Sequence, residues 1–333
     1  MPLPSSFEGR LSVPAVAAPM FLASGPELII ETCKAGIVGG FPALNQRSSE
    51  GFEQWLIQIS EALAAFEKET GRRAAPYGVN LIVNKTNPRL QEDLALCVKH
   101  KVPLIITSMG AAKDIVDAVH GYGGVVFHDV VNPRHAQKAA ATGVDGLILV
   151  CAGAGGHADS LNPFALVNEV RQFFDKTILL SGALSTGSDV AAAQMMGADL
   201  AYMGSRFLAT QEALVGEDYK AQLVESIATD ILYTPKISGV PASFIRQTLE
   251  KAGLDIKTMR TPEEPDFGLE MDEAAQPEKT AKPKPWRDLW SAGQGVGSIS
   301  DIPATADLVA RLVSEYQAAN RAQQERFTKF SQS

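Results

Sequence analysis

Eight short runs of Val, Ile, Leu and small residues recur along this chain, and segments with helical spacing separate them. The runs are PAVAAPM (14–20), GIVGGFPAL (36–44), YGVNLIV (77–83), PLIITSMG (103–110), GVVFHDVV (124–131), GLILVCAG (146–153), TILLSGAL (177–184) and LAYMGSRFL (200–208). None alternates polar with apolar residues, so each reads as a strand covered on both faces. The intervening segments, such as FEQWLIQISEALAAFEK and PRLQEDLALCVKHK, carry helix-period patterns; several begin at Asn-Pro or Ser-Asp and end at Gly, which are start and stop signals for helices. Eight strand–helix units in a row predict an α/β fold, a (β/α)8 TIM barrel. An open doubly wound sheet is the alternative.

The pattern changes after the eighth run. Residues 211–254 read as helical, and the stretch from 258 to 286 is rich in Pro, Glu and Lys with little apolar content, as in a long excursion that builds no core of its own. LWSAGQGVGSI and a closing amphipathic helix follow. The expected organisation is therefore a barrel over 1–210, a helical insertion with its excursion over 211–285, and a return with a C-terminal helix over 286–333.

Charge and composition exclude several classes. A net charge of −8 argues against a nucleic-acid partner, whose phosphates call for basic patches. No apolar stretch reaches the roughly 20 residues that span a bilayer. The opening MPLPSSFEGR lacks the charged start and apolar core of a secretory signal, so a cytoplasmic location is expected. The three cysteines, Cys33, Cys97 and Cys151, fit no metal-binding spacing and read as reduced, buried thiols. The C-terminal helix and the insertion offer surfaces for a homo-oligomer.

Barrel chemistry collects at the C-terminal ends of the strands. Small residues dominate there. The last two ends, SGALSTGSD and MGSRF, match the phosphate cradle of such barrels, in which backbone N–H groups hold the anion; Gly182, Ala183, Gly204 and Ser205 are its candidates. Arg206 either adds charge to that cradle or pairs with an acidic neighbour. Asn80, flanked by Val79 and Leu81, needs partners if buried and can offer a donor and an acceptor to the edge of a heterocycle. His157 follows Gly155 and Gly156, glycines that would let a flat ligand approach the backbone. Its imidazole can act as a base or carry positive charge toward an anion. Among the other histidines, His128 ends the fifth strand and is placed in the pocket wall, whereas His100, His120 and His135 are expected at the surface. A phosphate cradle, an amide that reads a heterocycle and a glycine-bounded histidine together suggest FMN, with the flavin supplying redox chemistry and the protein supplying position. No GxGxxG marks a Rossmann site, which leaves transient NAD(P)H use open.

These residues carry a resemblance. APM (18–20), GVN (78–80), AGAGGHAD (152–159), LSGALSTGSDVAAAQMMGADLAYMGSRFLAT (180–210) and WSAGQ (290–294) resemble the nitronate monooxygenase family, formerly called 2-nitropropane dioxygenases. That family shares its fold with FMN-dependent enoyl-ACP reductases. The resemblance implies Met20 and Asn80 as flavin contacts, Gly182 and Ala183 as the phosphate loop with alanine in place of the usual second glycine, and Gly204 with Ser205 as its partner. It further implies His157 as the active-site histidine and Gln294 near the flavin. It implies no metal. The implied reaction converts alkyl nitronates and O2 to carbonyl compounds and nitrite. The alternative is NAD(P)H-dependent reduction of quinones or enoyl thioesters, and a barrel that binds a phosphorylated ligand without redox chemistry stands third. Asp129 departs from relatives that carry lysine after the fifth-strand histidine. A carboxylate there opposes an anionic flavin or substrate unless it is paired or hydrogen-bonds the ribityl chain.

Overall fold

A computed structural model describes residues 3–110, 113–261 and 283–331. Eight parallel strands close into a barrel: β1 (Ala15–Ala17), β2 (Val38–Pro42), β3 (Tyr77–Ile82), β4 (Leu104–Ser108), β5 (Val125–Val130), β6 (Gly146–Val150), β8 (Thr177–Ser181) and β9 (Leu200–Met203). Each lies within one of the eight apolar runs. The first and last strands pair in parallel, Ala15 with Ala201, Val16 with Tyr202 and Ala17 with Met203, so no edge is left and the open-sheet alternative is excluded. Closure removes the unpaired N–H and C=O groups that an edge would expose.

The helices start where the local signals place them. Asn132 caps α5 (Pro133–Ala140) and Asn162 caps α6 (Pro163–Arg171); in each case the Asn side chain accepts a backbone N–H and proline takes the first helical position. Thr186 and Asp189 form a reciprocal capping box at α7 (Gly187–Met195), which satisfies two donors that the first turn would leave orphaned. Leu308, Val309 and Leu312 of the C-terminal helix, which spans Thr305–Ser331, pack into one cluster with Leu28 and Val190. Inside the barrel, Val16, Leu104, Ile148, Leu179 and Leu200 fill the axis; Phe7 joins them and sets its ring edge-on to Phe127, centroids 5.8 Å apart. The interior is a solid core, so a ligand can enter only at a rim.

The insertion is where expectation and structure part. Residues 211–254 do hold helices, at Glu217–Glu225 and Arg246–Lys251. Between them runs an antiparallel hairpin, β10 (Ile231–Thr234) and β11 (Ala242–Ile245), and its third strand is β7 (Gly156–His157) from the barrel's own loop. ILYT and ASFI are too short to show a period, and their partner lies some 85 positions away in sequence. Most of the Pro/Glu/Lys-rich excursion, residues 262–282, falls outside the described residues.

Candidate active site

The C-terminal mouth of the barrel opens into a cavity of about 880 Å³. Strand ends form its floor, including Met20, Asn80, Ser108, Asp129, Gly182 and Gly204, and the insertion and return form its roof with Tyr219, Tyr233, Trp286 and Ser291. A cleft of this volume accommodates a drug-sized or nucleotide-sized ligand.

One wall carries a run of polar groups. Asn80 Nδ2 donates to the Ile106 carbonyl at 3.2 Å and to Ser108 Oγ at 2.7 Å, and Ser108 Oγ donates to Asp129 Oδ2 at 2.5 Å. A carbonyl can only accept, so Ile106 fixes which way the Asn80 amide points. Both Asn80 hydrogens are thus consumed within the protein. The expectation of a donor and an acceptor facing a heterocycle is corrected: only Oδ1 is left to offer. Burial raises the Asp129 carboxyl to about 6, and the Ser108 hydrogen bond only partly offsets that. His128, on the same strand, is held by Thr107 (Oγ1 to Nδ1, 2.7 Å), and burial pushes its imidazole down to about 4.

His157 sits on the opposite side of the mouth, in a strand rather than a loose loop. It pairs with Ala242 of β11, and its ring meets Trp286 edge-on with centroids 5.0 Å apart. Below it, Gly156 N–H donates to Ser291 Oγ at 2.8 Å, and Ser291 Oγ donates to the Ser243 carbonyl at 2.6 Å. Tyr219 closes the clasp: its hydroxyl donates to the Ser291 carbonyl at 2.5 Å, and its ring stacks on Trp290 at 4.8 Å. Gly156 takes φ +69°, which favours glycine. A side chain on Gly155 would strike the backbone of Gly293 at 2.8 Å and of Ala292 at 2.9 Å. A left-handed backbone at Gly156 and close packing of the return segment on Gly155 each call for glycine, and both residues also line the cavity. Burial pushes the His157 imidazole down to about 4, so near neutral pH it is an uncharged base and hydrogen-bonding group. Of the two roles open to it, base or cation, burial favours the neutral base.

The ends of β8 and β9 form the candidate cradle. Among the described residues, the N–H groups of Gly182, Leu184 and Gly204 meet no acceptor, and all three residues line the cavity. Orphan backbone donors gathered in a concavity are an anion site. Most of its neighbours are committed elsewhere. Ala183 N–H donates to the Gly153 carbonyl at 3.2 Å and so shapes the cradle without supplying that group to it, whereas Ser205 Oγ accepts from Gly293 N–H at 2.8 Å and keeps its own O–H to donate. Arg206 is buried and bonded to Asp301 and the Ala209 carbonyl; the acidic-neighbour alternative holds, not the phosphate one. Gln294 is exposed and outside the cavity lining, and its N–H ties the return segment to the Gly153 carbonyl at 2.8 Å. Ala183 has φ +56°, a left-handed conformation that costs a non-glycine residue about 1–2 kcal/mol. Ala183→Gly is expected to raise stability by about 1 kcal/mol, read as a higher midpoint in urea with unchanged slope.

Two site residues, Trp286 and Tyr219, escaped the sequence reading because they lie outside any barrel strand; Ser108 stands at a strand end, at the mouth, but nothing in the sequence marked its link to Asn80 and Asp129. WSAGQ did signal the return segment, but its working residues there are Ser291 and Gly293 rather than Gln294. The remaining histidines fall mostly as expected: His120 is exposed and bonded to Asp145, His100 is half-buried on Glu53, and His135 is exposed on α5 yet reaches the outer cavity wall. All three cysteines are buried and unpaired, and burial raises Cys151 to about 12, so it is no reactive thiol. Among the described residues no helix is long and apolar enough to cross a membrane.

Comparison with known proteins places this architecture. A 5-hydroxy-7a-methyl-1-oxo-octahydro-1H-indene-4-carboxyl-CoA dehydrogenase of Rhodococcus jostii is 25% identical over 68% of this chain and 61% of its own length, so the chain matches about three-fifths of that protein. A nitronate monooxygenase of Paraburkholderia phytofirmans is 26% identical over 91% of this chain and 92% of its own. The solved structure of a nitroalkane oxidase from Streptomyces ansochromogenes superposes with a TM-score of 0.77 at 23% identity, covering 96% of this chain and all of that one, and so shares the fold. The model of one family, nitronate monooxygenase, matches residues 43–315. That match takes in six of the eight barrel strands, the His157 strand, the insertion and the clasp around Ser291, and on it the chain belongs to the nitronate monooxygenase family.

Proposed function

We propose that this chain is an FMN-dependent oxidoreductase that converts alkyl nitronates and O2 to carbonyl compounds and nitrite. The observation that carries the reading is the set of orphan amides at Gly182, Leu184 and Gly204, in the same cavity as a buried, uncharged histidine. The amides fit the phosphate of FMN, because unpaired N–H dipoles in one cavity can offset a dianion without a lysine or arginine. Met20 and the Asn80 carbonyl oxygen lie on the floor where a ring would rest. Bound there, FMN would supply the electron-accepting ring.

The protein's own groups do the rest. His157, held by its strand pairing and by Trp286, offers a nitrogen to take a proton from a neutral nitroalkane or to hydrogen-bond a nitro oxygen. The roof built from β10, β11 and the return segment keeps water from that nitrogen, which is the cause of its depressed basicity. In this reading the described residues up to 210 hold the cofactor, 211–261 cover it and 286–331 lock the cover; the buried free thiols fit a reducing, cytoplasmic setting.

The test is nitrite release from propyl-2-nitronate, with O2 consumed and no NAD(P)H present. Protein that carries FMN yet forms no nitrite sinks the reading. Rapid anaerobic bleaching of the flavin by NADH would favour a reductase of quinones or enoyl thioesters instead, the direction in which the CoA-ester dehydrogenase relative points.

A further inference from the structure

The hydrogen bonds on the β3–β5 wall run one way. Asn80 donates to Ser108, and Ser108 donates to Asp129 Oδ2, so the run ends on an acceptor. Asp129 Oδ1 is shut off from solvent and meets no donor among the described residues, although the residue itself lines the cavity. A buried carboxylate oxygen without a donor is costly. Something must supply a proton or a donor there.

The groups packed around it supply no positive charge. From β4 come Ser108 and Thr107, and Thr107 is engaged with His128. β6 contributes Ile148 opposite Asp129 and no titratable side chain. From β9, Tyr202 presents a phenol that burial and the Asp129 charge hold protonated. His128 stays neutral, and His135 on α5 acts on His128 rather than on Asp129. Among the described residues no lysine or arginine offsets the charge of this carboxyl group; Lys138 of α5 lines the same cavity but does not act on it.

We propose that Asp129 sorts the ligands of this cavity by charge: as a carboxyl it donates a hydrogen bond to an anionic oxygen, and as a carboxylate it turns anions away. The inference rests on the cavity being the substrate site proposed above. Burial places the change of state near pH 6, so anionic ligands are held more tightly below that value and lost as pH rises through it. A nitronate would then bind best in mild acid, and above it the site would prefer neutral molecules or those that offer N–H or O–H donors.

Nitrate, an anion that does not itself titrate in this range, is the probe. Its affinity for the protein as isolated is measured by calorimetry between about pH 5 and about pH 8. Wild type should weaken by roughly tenfold for each pH unit above the midpoint. Asp129→Asn, which still accepts from Ser108, should show no such slope. Ser108→Ala removes the hydrogen bond that favours the charged form, so the transition should keep its amplitude and move to higher pH; a purely structural role for Asp129 would not shift it. A wild-type affinity independent of pH, or an Asp129→Asn variant with the wild-type slope, overturns the proposal. The outcome is separable from the functional reading: colourless protein removes that reading while calorimetry still reports on Asp129, and nitrite formation with a flat nitrate profile removes only this inference.

Discussion

His157→Ala is expected to lower kcat/KM by about a hundredfold to ten-thousandfold, the range for losing a positioned acid–base group, while flavin content stays at the wild-type level. The split follows from geometry. The orphan amides of Gly182, Leu184 and Gly204 belong to other strands, and the bonds that pair β7 with β11 are backbone bonds that alanine keeps. The pH profile gives a second check. Burial holds the imidazole near 4, well below the ordinary value of about 6.5, so it should contribute no activity inflection near 6.5. The sign for folding is also set: the depressed value means that the neutral-histidine contribution to stability is complete above about 6.5 and is lost as pH falls toward 4. Loss of flavin in His157→Ala, with normal turnover after reconstitution, would refute the assigned role.

Gly182→Ala should abolish flavin binding and destabilise the barrel by about 2–6 kcal/mol, from two independent penalties. Gly182 has φ +133°, a region nearly closed to side chains, at about 1–3 kcal/mol. An added Cβ would also stand 2.8 Å from the Ala152 carbonyl oxygen, and the backbone shift that relieves such a contact costs about 1–3 kcal/mol. That shift would move the Gly182 N–H away from the Leu184 and Gly204 N–H groups. Thermal unfolding and the absorbance of the purified protein read the two effects separately. A yellow, fully stable Gly182→Ala would show that the cradle does not depend on this residue.

The contrast between Gly182 and its neighbours shows what a sequence can convey about such a site. Glycine at the end of an apolar run, twice in succession at the seventh and eighth strands, marks a place where the backbone itself is used. That signal was readable, and it led to the orphan amides. At Gly155 and Gly156 the same signal has more than one source, because a glycine needed for a left-handed backbone or for the Gly293 backbone looks identical in a string of letters to one needed for a ligand. Arg206 illustrates the same limit: its charge was visible, but Asp301, its partner, lies 95 positions away. Asn80 was correctly singled out as a buried amide at a strand end, yet the direction of its hydrogens depended on Ile106 and Ser108 of the next strand.

Local periodicity therefore determined the barrel, the count and order of its strands, the helix starts at Asn132 and Asn162 and the position of the mouth, since each depends on residues within a few places of one another. Only the tertiary structure decided that a hairpin of the insertion takes His157 as its third strand, that Ser291 and Tyr219 clasp it, and that Asp129 ends a one-way run of hydrogen bonds with no cation paired to it among the described residues. Those outcomes depend on which distant groups meet and on how much water they exclude. Burial set the charge state of both His157 and Asp129, and burial is a property of the packed chain rather than of any segment of it.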